Sequence, residues 1–252
     1  MTLFDLAGHR ALVTGGSRGL GYSMADALLD AGAEVVIIGS HDSVLSSARD
    51  LARGASTCHG VVADLRSTDE RRQGFAAAME ALDGRLDILV NAAGIQSRYP
   101  AEEFPLEVFE EVIDVNLTAV FELCQLAGRH MLDQRRGKII NIASLLSFFG
   151  GYTVPAYAAS KGGVMQLTKA LANEWAGRGV NVNAIAPGYM ATEMNAALLA
   201  DHARNTGITE RIPAGRWGVG DDMKGPLLFL ASTASDYVNG AILPVDGGYL
   251  GR

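Results

Sequence analysis

Tyr157 and Lys161 stand four residues apart in Tyr157-Ala158-Ala159-Ser160-Lys161, a spacing that puts both side chains on one face of a helix. A phenol with its usual pKa near 10 is a poor acid–base catalyst at neutral pH. An ammonium one turn away stabilises the phenolate, and each pKa unit is worth about 1.4 kcal/mol. The pair therefore predicts a residue, Tyr157, that gives a proton to a carbinol oxygen or takes one from it. Ser144 ends the apolar stretch Asn141-Ile142-Ala143-Ser144 a short way upstream, and its hydroxyl is placed to hold a substrate carbonyl. Asn116 lies in Asp114-Val115-Asn116-Leu117, within a mostly apolar helical pattern where a buried amide must find partners. It either holds a water on a proton path toward Lys161 or is a satisfied core amide.

A second chemical signal sits near the amino terminus. The first apolar run leads into Thr14-Gly15-Gly16-Ser17-Arg18-Gly19-Leu20-Gly21, and a helical pattern follows. Strand, glycine turn and helix together are the context of a dinucleotide site, in which the turn lets backbone approach a pyrophosphate and the helix start offers free N–H groups; the alternative is an ordinary strand-to-helix turn. The spacing is G-x-x-x-G-x-G rather than G-x-G-x-x-G. About twenty residues on, where an acid would bond the adenosine ribose of NAD, the chain has Gly39-Ser40-His41. Arg18 suits a 2′-phosphate, with His41 as a possible helper, so the charges favour NADP(H) over NAD(H). Otherwise Arg18 is a solvated turn residue. Asp64 and Leu65 follow the third run; Asp64 either accepts from an adenine amino group or caps the next helix. Asn91-Ala92-Ala93-Gly94 follows the fourth run, and its small residues let the chain pass close to a flat ring.

The elements that must carry these residues alternate. Apolar, largely β-branched runs at 11–13, 35–38, 61–62, 86–90, 139–142, 180–185 and 241–245 read as strands buried on both faces. Between them lie helical patterns at 19–31, 43–53, 68–82, 106–133, 155–177 and near 221–230. Strand–helix alternation predicts an α/β, doubly wound parallel sheet in a single domain over residues 1–252. The segment at about 190–218 breaks the rhythm and reads as an insertion covering a substrate.

The same residues, taken together, resemble the short-chain dehydrogenase/reductase family along the whole chain. The resemblance rests on Thr14-Gly15…Gly19…Gly21, Asp64, Asn91…Gly94, Asn116, Ser144, Tyr157…Lys161 and Pro187-Gly188. It implies a Rossmann-like sheet of about seven parallel strands and an Asn116–Ser144–Tyr157–Lys161 tetrad. It implies hydride transfer on NAD(P), with Lys161 also holding the nicotinamide ribose and Thr192 at the carboxamide. The implied cofactor contacts are Gly15, Ser17, Arg18, Gly19, Leu20, Gly21, Ser40, His41, Asp64, Leu65, Asn91, Ala92, Gly94, Tyr157, Lys161, Pro187, Gly188 and Thr192. Ala92 departs from the family, which usually has a second Asn there, and this puts one loop hydrogen bond in doubt. The second half, above all 138–144, 183–192, 211–218 and 234–240, is similar to the family's deoxy- and keto-gluconate dehydrogenases. The expected substrate is then a sugar acid. Gln96 is a candidate for its hydroxyls and Arg98 for its carboxylate, unless Arg98 is a solvated loop residue; Arg216 is a weaker candidate for the carboxylate. The family resemblance also implies a homotetramer.

Other classes weigh less. A reductase of another carbonyl, a 3-oxoacyl thioester or a ketose, keeps the same tetrad, but the thioester enzyme needs a basic patch for its carrier protein. A cofactor-sensing protein usually lacks the Tyr or Lys that is present here. Net charge is −7 and no basic patch dominates, which argues against nucleic-acid binding. Five scattered histidines and two cysteines offer no metal-ligand spacing, so no metal is expected. Scarce cysteine and no recognisable signal peptide point to the cytoplasm. The uncharged stretch 139–160 contains Asn141, Gly150, Gly151 and Pro155, so it reads as a strand running into a loop and not as a membrane span.

Overall fold

A computed structural model describes residues 3–54 and 56–252. Seven parallel strands form one sheet in the order β3-β2-β1-β4-β5-β6-β7. They are β1 (Arg10–Thr14), β2 (Glu34–Gly39), β3 (Cys58–Val62), β4 (Ile88–Asn91), β5 (Gly137–Ile142), β6 (Val180–Pro187) and β7 (Ile242–Val245). The expected doubly wound sheet is therefore present, and each of the seven sequence runs became a strand, with ends shifted by a few residues.

Consecutive strand residues face opposite layers. Leu12, Val36, Leu89 and Ile139 pack with α3 (Thr68–Ala81), α5 (Ala119–Asp133) and α6 (Pro155–Trp175) on one face. Val13, Ile37, Val90 and Ile140 pack with α1 (Gly19–Asp30), α2 (Ser43–Leu51) and α9 (Lys224–Ala231) on the other. Both faces are covered, so these strands show unbroken apolar runs rather than alternation. The chain reverses its direction of winding between β1 and β4. At such a switch point a crevice opens beyond the carboxyl ends of the strands.

The helical pattern at 106–133 is not one helix. It divides into α4 (Leu106–Ile113), a π-helical turn at Asp114–Thr118, and α5. Apolar periodicity runs straight through the wide turn, which is why the sequence alone suggested a single element. The segment near 190–218 contains α7 (Ala196–Ala200) and α8 (His202–Thr209). Its base is pinched by a parallel bridge between Met190 and Gly218. Ala191 N–H donates to Gly218 O at 2.8 Å, and Gly218 N–H to Tyr189 O at 2.9 Å. Among the described residues no helix is long and apolar enough to cross a membrane.

Candidate active site

β5 delivers Ser144 to the crevice. The Ser144 hydroxyl accepts from Leu146 N–H at 3.1 Å and begins a short 3-10 turn at Leu145–Ser147. Ser147, unmarked in the sequence reading, returns a hydrogen bond to Ser144 N–H at 3.3 Å. Its hydroxyl also donates to the Lys161 carbonyl at 2.6 Å. That one side chain ties the end of β5 to α6. The signal for it was available: a hydroxyl residue three positions after a capping serine is a reciprocal cap.

α6 begins with Pro155, whose fixed φ suits a first helical turn. Tyr157 and Lys161 follow on one face, with the Lys161 Nζ 5.7 Å from the centre of the Tyr157 ring. Burial pushes the phenol above its ordinary pKa, and a hydrogen bond with Ser144 works against that rise. Desolvation is the largest influence on the phenol here, opposite in sense to the lowering expected from the nearby ammonium. Burial likewise pushes Lys161 down to about 8. Its Nζ donates to the Ile142 carbonyl at 2.6 Å.

The π-helical turn aims Asn116 at the loop after β4. Its Oδ1 accepts from Ile95 N–H at 2.8 Å, and its Nδ2 donates to Ile95 O at 2.9 Å and to Ser160 Oγ at 3.2 Å. Gly94 completes the contact: a Cβ there would lie 3.3 Å from Asn116 Oδ1 and 3.7 Å from Lys161 Nζ. Asn116, Ser144, Tyr157 and Lys161 are thus brought together. The Asn116 amide is saturated by protein, as the satisfied-core reading had it, while Oδ1 still lies on the side toward Lys161.

The glycine turn packs backbone closely against backbone. Gly15 has φ +67°, and a Cβ on it would meet the Ala93 backbone at 2.8 Å. Gly21 lies so close to the Gly15 carbonyl that a Cβ there would sit 2.2 Å from it. Arg18 occupies the N-cap of α1 in extended conformation with no side-chain cap, so the first N–H groups of the helix have no side-chain partner. These uncapped donors, with the small side chains of Ala92 and Ala93 nearby, fit a pyrophosphate beside a flat ring. Thr14 Oγ1 accepts from both Ala92 and Ala93 N–H, at 3.1 and 3.2 Å, and fixes that loop despite the missing second Asn.

Several expected contacts take other forms. The Asn91 side chain turns into the core, donating to Asn141 Oδ1 at 2.9 Å and to Cys124 Sγ at 3.3 Å, so only its backbone borders the crevice. Asp64 does not cap the following helix; Ser67 does. The Asp64 carboxylate instead holds Arg66, with Nη2 to Oδ2 at 2.7 Å, and hydrogen bonding to Arg66 keeps its pKa low. Arg18 donates to Glu193 of the insertion at 2.8 Å. Ser40 and His41 lie exposed beyond β2, and Leu65 is buried. Pro187 ends β6 and Gly188 follows it, where a Cβ would collide with Asp246. Thr192 opens the insertion.

Arg98 pairs with no carboxylate among the described residues. In the amide orientation that satisfies both groups, Gln96 Oε1 accepts from Arg98 Nε at 3.2 Å and Nη2 at 2.7 Å. The Gln96 oxygen is therefore used, leaving its N–H groups for a hydroxyl. Lost hydration and the nearby charge of Arg204 lower the Arg98 pKa, and Tyr189 acts in the opposite sense. Arg204 escaped the sequence reading because it stands far away in the chain, on α8. Trp217 holds that helix in place, its indole N–H lying 2.9 Å from Asn205 Oδ1 and 3.1 Å from Thr209 Oγ1, and Trp217 packs edge-on against Tyr189. Arg216, by contrast, already has a carboxylate partner in Asp222, through two contacts of 2.8 Å.

The short chain dehydrogenase family matches residues 9–203. The chain belongs to that family. It is 51% identical to the 2-dehydro-3-deoxy-D-gluconate 5-dehydrogenase of Bacillus subtilis, over 99% of this chain and 97% of that protein. A Beutenbergia cavernae protein solved with NADP at low occupancy is 49% identical, covers 100% of both chains and superposes with a TM-score of 0.95. A gluconate 5-dehydrogenase from Burkholderia cenocepacia, solved with NADP and tartrate, is 41% identical, covers 99% of this chain and 98% of that one, and gives a TM-score of 0.95.

Proposed function

We propose that this short-chain dehydrogenase interconverts a secondary alcohol and a ketone, at the fifth carbon of a deoxy-keto-gluconate or related sugar acid, using NADP(H) in preference to NAD(H). The observation that carries the substrate class is Arg98, which has no carboxylate partner among the described residues, is bonded by Gln96 and lies close enough to Arg204 to feel its charge. Two cations without a carboxylate partner suit an acid, and Gln96 suits its hydroxyls. The relatives named above act, by name, on gluconates.

The chemistry divides among this chain's residues. When the cofactor is bound, with its pyrophosphate at the glycine turn, its nicotinamide supplies or accepts the hydride. Tyr157, held protonated by burial, gives its proton to the ketone oxygen during reduction. Ser144 holds that same oxygen. Lys161 keeps a positive charge beside the phenol and would also hold the nicotinamide ribose. Asn116 braces the loop that passes over the ring site. Arg18 meets the 2′-phosphate, and Gly39 presents no carboxylate to repel it. We further propose a homotetramer working in the cytoplasm; two free thiols, Cys58 and Cys124, suit a reducing compartment.

The test is a panel of uronic, aldonic and deoxy-keto acids with each cofactor, followed by nicotinamide absorbance. Arg98→Ala is then assayed on a substrate pair with and without the carboxylate. Loss confined to the acid, by about 1.5–3 kcal/mol in kcat/KM, supports the contact. Equal losses on both substrates, or no turnover of any acid in the panel, refute the reading.

A further inference from the structure

Arg18 and Glu193 are distant in sequence, yet their side chains meet at 2.8 Å. Arg18 belongs to the glycine turn at the start of α1. Glu193 follows Thr192 at the entrance of the insertion and opens a 3-10 turn at Glu193–Asn195. That turn is anchored from behind, where Asn195 Nδ2 donates to the Met190 carbonyl at 2.9 Å. Both partners are three-quarters exposed, 76% and 75%. Neither makes another side-chain hydrogen bond among the described residues, so packing does not explain the pair.

We infer that Glu193 is a cofactor-discriminating residue: it holds Arg18 away from the 2′-phosphate and so trims the preference for NADP(H) over NAD(H). The inference rests on the proposal that Arg18 receives the 2′-phosphate. A guanidinium that turns to the phosphate leaves Glu193, and a carboxylate left beside a phosphate repels it. NAD(H), lacking the phosphate, leaves the pair untouched. The phosphate therefore competes with a carboxylate supplied by the insertion, and NADP(H) binding loosens the insertion where NAD(H) binding does not.

The experiment is calorimetric titration of the full-length protein with NADP and NAD at low ionic strength, for wild type, Glu193→Gln, Arg18→Ala and the double variant. An exposed ion pair limits the effect, so Glu193→Gln is expected to tighten NADP about two- to fivefold and leave NAD unchanged. The gain should vanish in the Arg18→Ala background and shrink with added salt. Arg18→Ala alone should weaken NADP by about tenfold or more, as loss of a charged hydrogen bond does. If Arg18→Ala leaves NADP unchanged, the phosphate contact itself is wrong and the inference falls with it. If Arg18 matters but Glu193→Gln fails to tighten NADP, shifts both cofactors equally, or keeps its effect without Arg18, the inference alone is overturned. Equal melting temperatures for Glu193→Gln and wild type separate this role from a structural one.

Discussion

Tyr157 and Lys161 carry opposite burdens from the same burial. Burial raises the phenol and so works against its release of a proton, which makes Tyr157→Phe the sharpest test of the chemistry. Turnover should fall about a hundredfold or more while cofactor affinity stays near wild type; retention of a tenth of the rate would remove Tyr157 from the acid–base role. Lys161 is charged at neutral pH although burial holds its pKa near 8, below the usual 10.5. Folding therefore works against its charge. The unfolded chain binds more protons than the folded one between about 8 and 10.5, so this group makes stability rise with pH across that window. A shift of this size amounts to roughly 3 kcal/mol at most, since lysine trades hydration for one carbonyl. Lys161→Met should accordingly melt several degrees higher at pH 7 and lose activity. The stability gain should shrink as pH climbs past 8, and a lower melting temperature at pH 7 would contradict the account. Stability given up for a functional charge is a common trade.

At the level of elements, the site depends on how β5 and α6 are joined. Ser147 makes that joint through its bonds to Ser144 N–H and the Lys161 carbonyl. Ser147→Ala should reduce kcat by about tenfold, because small misplacements of reacting groups are costly. KM for the cofactor should hold, and the variant should stay folded by circular dichroism; unchanged kcat would show that the joint is dispensable. The strands and most helices were legible in the sequence because a parallel sheet buried on both faces writes its position as apolar runs. Tyr157, Lys161 and the glycine turn were legible because their spacing is local. The π-helical turn at Asp114–Thr118 was not, since one extra residue in a turn barely disturbs apolar periodicity. Arg204 and Glu193 were not legible either. Their roles arise from contacts closed across more than a hundred residues, which no single-chain spacing records.

The whole molecule leaves Leu106 at 68% and Phe121 at 45% exposed on α4 and α5. An apolar face on adjoining helices fits a self-complementary contact, and a symmetric tetramer would cover it. Light scattering at micromolar protein should give the mass of four chains, and Phe121→Glu should lower it; a monomer mass for wild type would reject the assembly. Near the carboxyl end, Tyr249 is 4% exposed and packs within its own chain against Phe149 and Tyr189, at 5.9 and 5.4 Å between ring centres.

That placement of Tyr249 bears on how the protein can be handled. Arg211 lies over the Tyr249 ring at 4.6 Å, and Arg252 donates to the Glu210 carbonyl at 2.6 Å, so the last residues are the underside of the substrate cover. An affinity handle fused after Arg252 would pull at that underside, and one at the amino terminus serves as its control. Deleting residues 249–252 should raise KM for the acid at least severalfold, since removing a buried aromatic ring costs about 3–5 kcal/mol of local packing. NADP affinity should change much less, because the glycine turn lies outside that cluster. Purified forms tagged at either end, compared by KM for acid and cofactor separately, would reveal the asymmetry; matching constants would mean the cover keeps its shape without its floor.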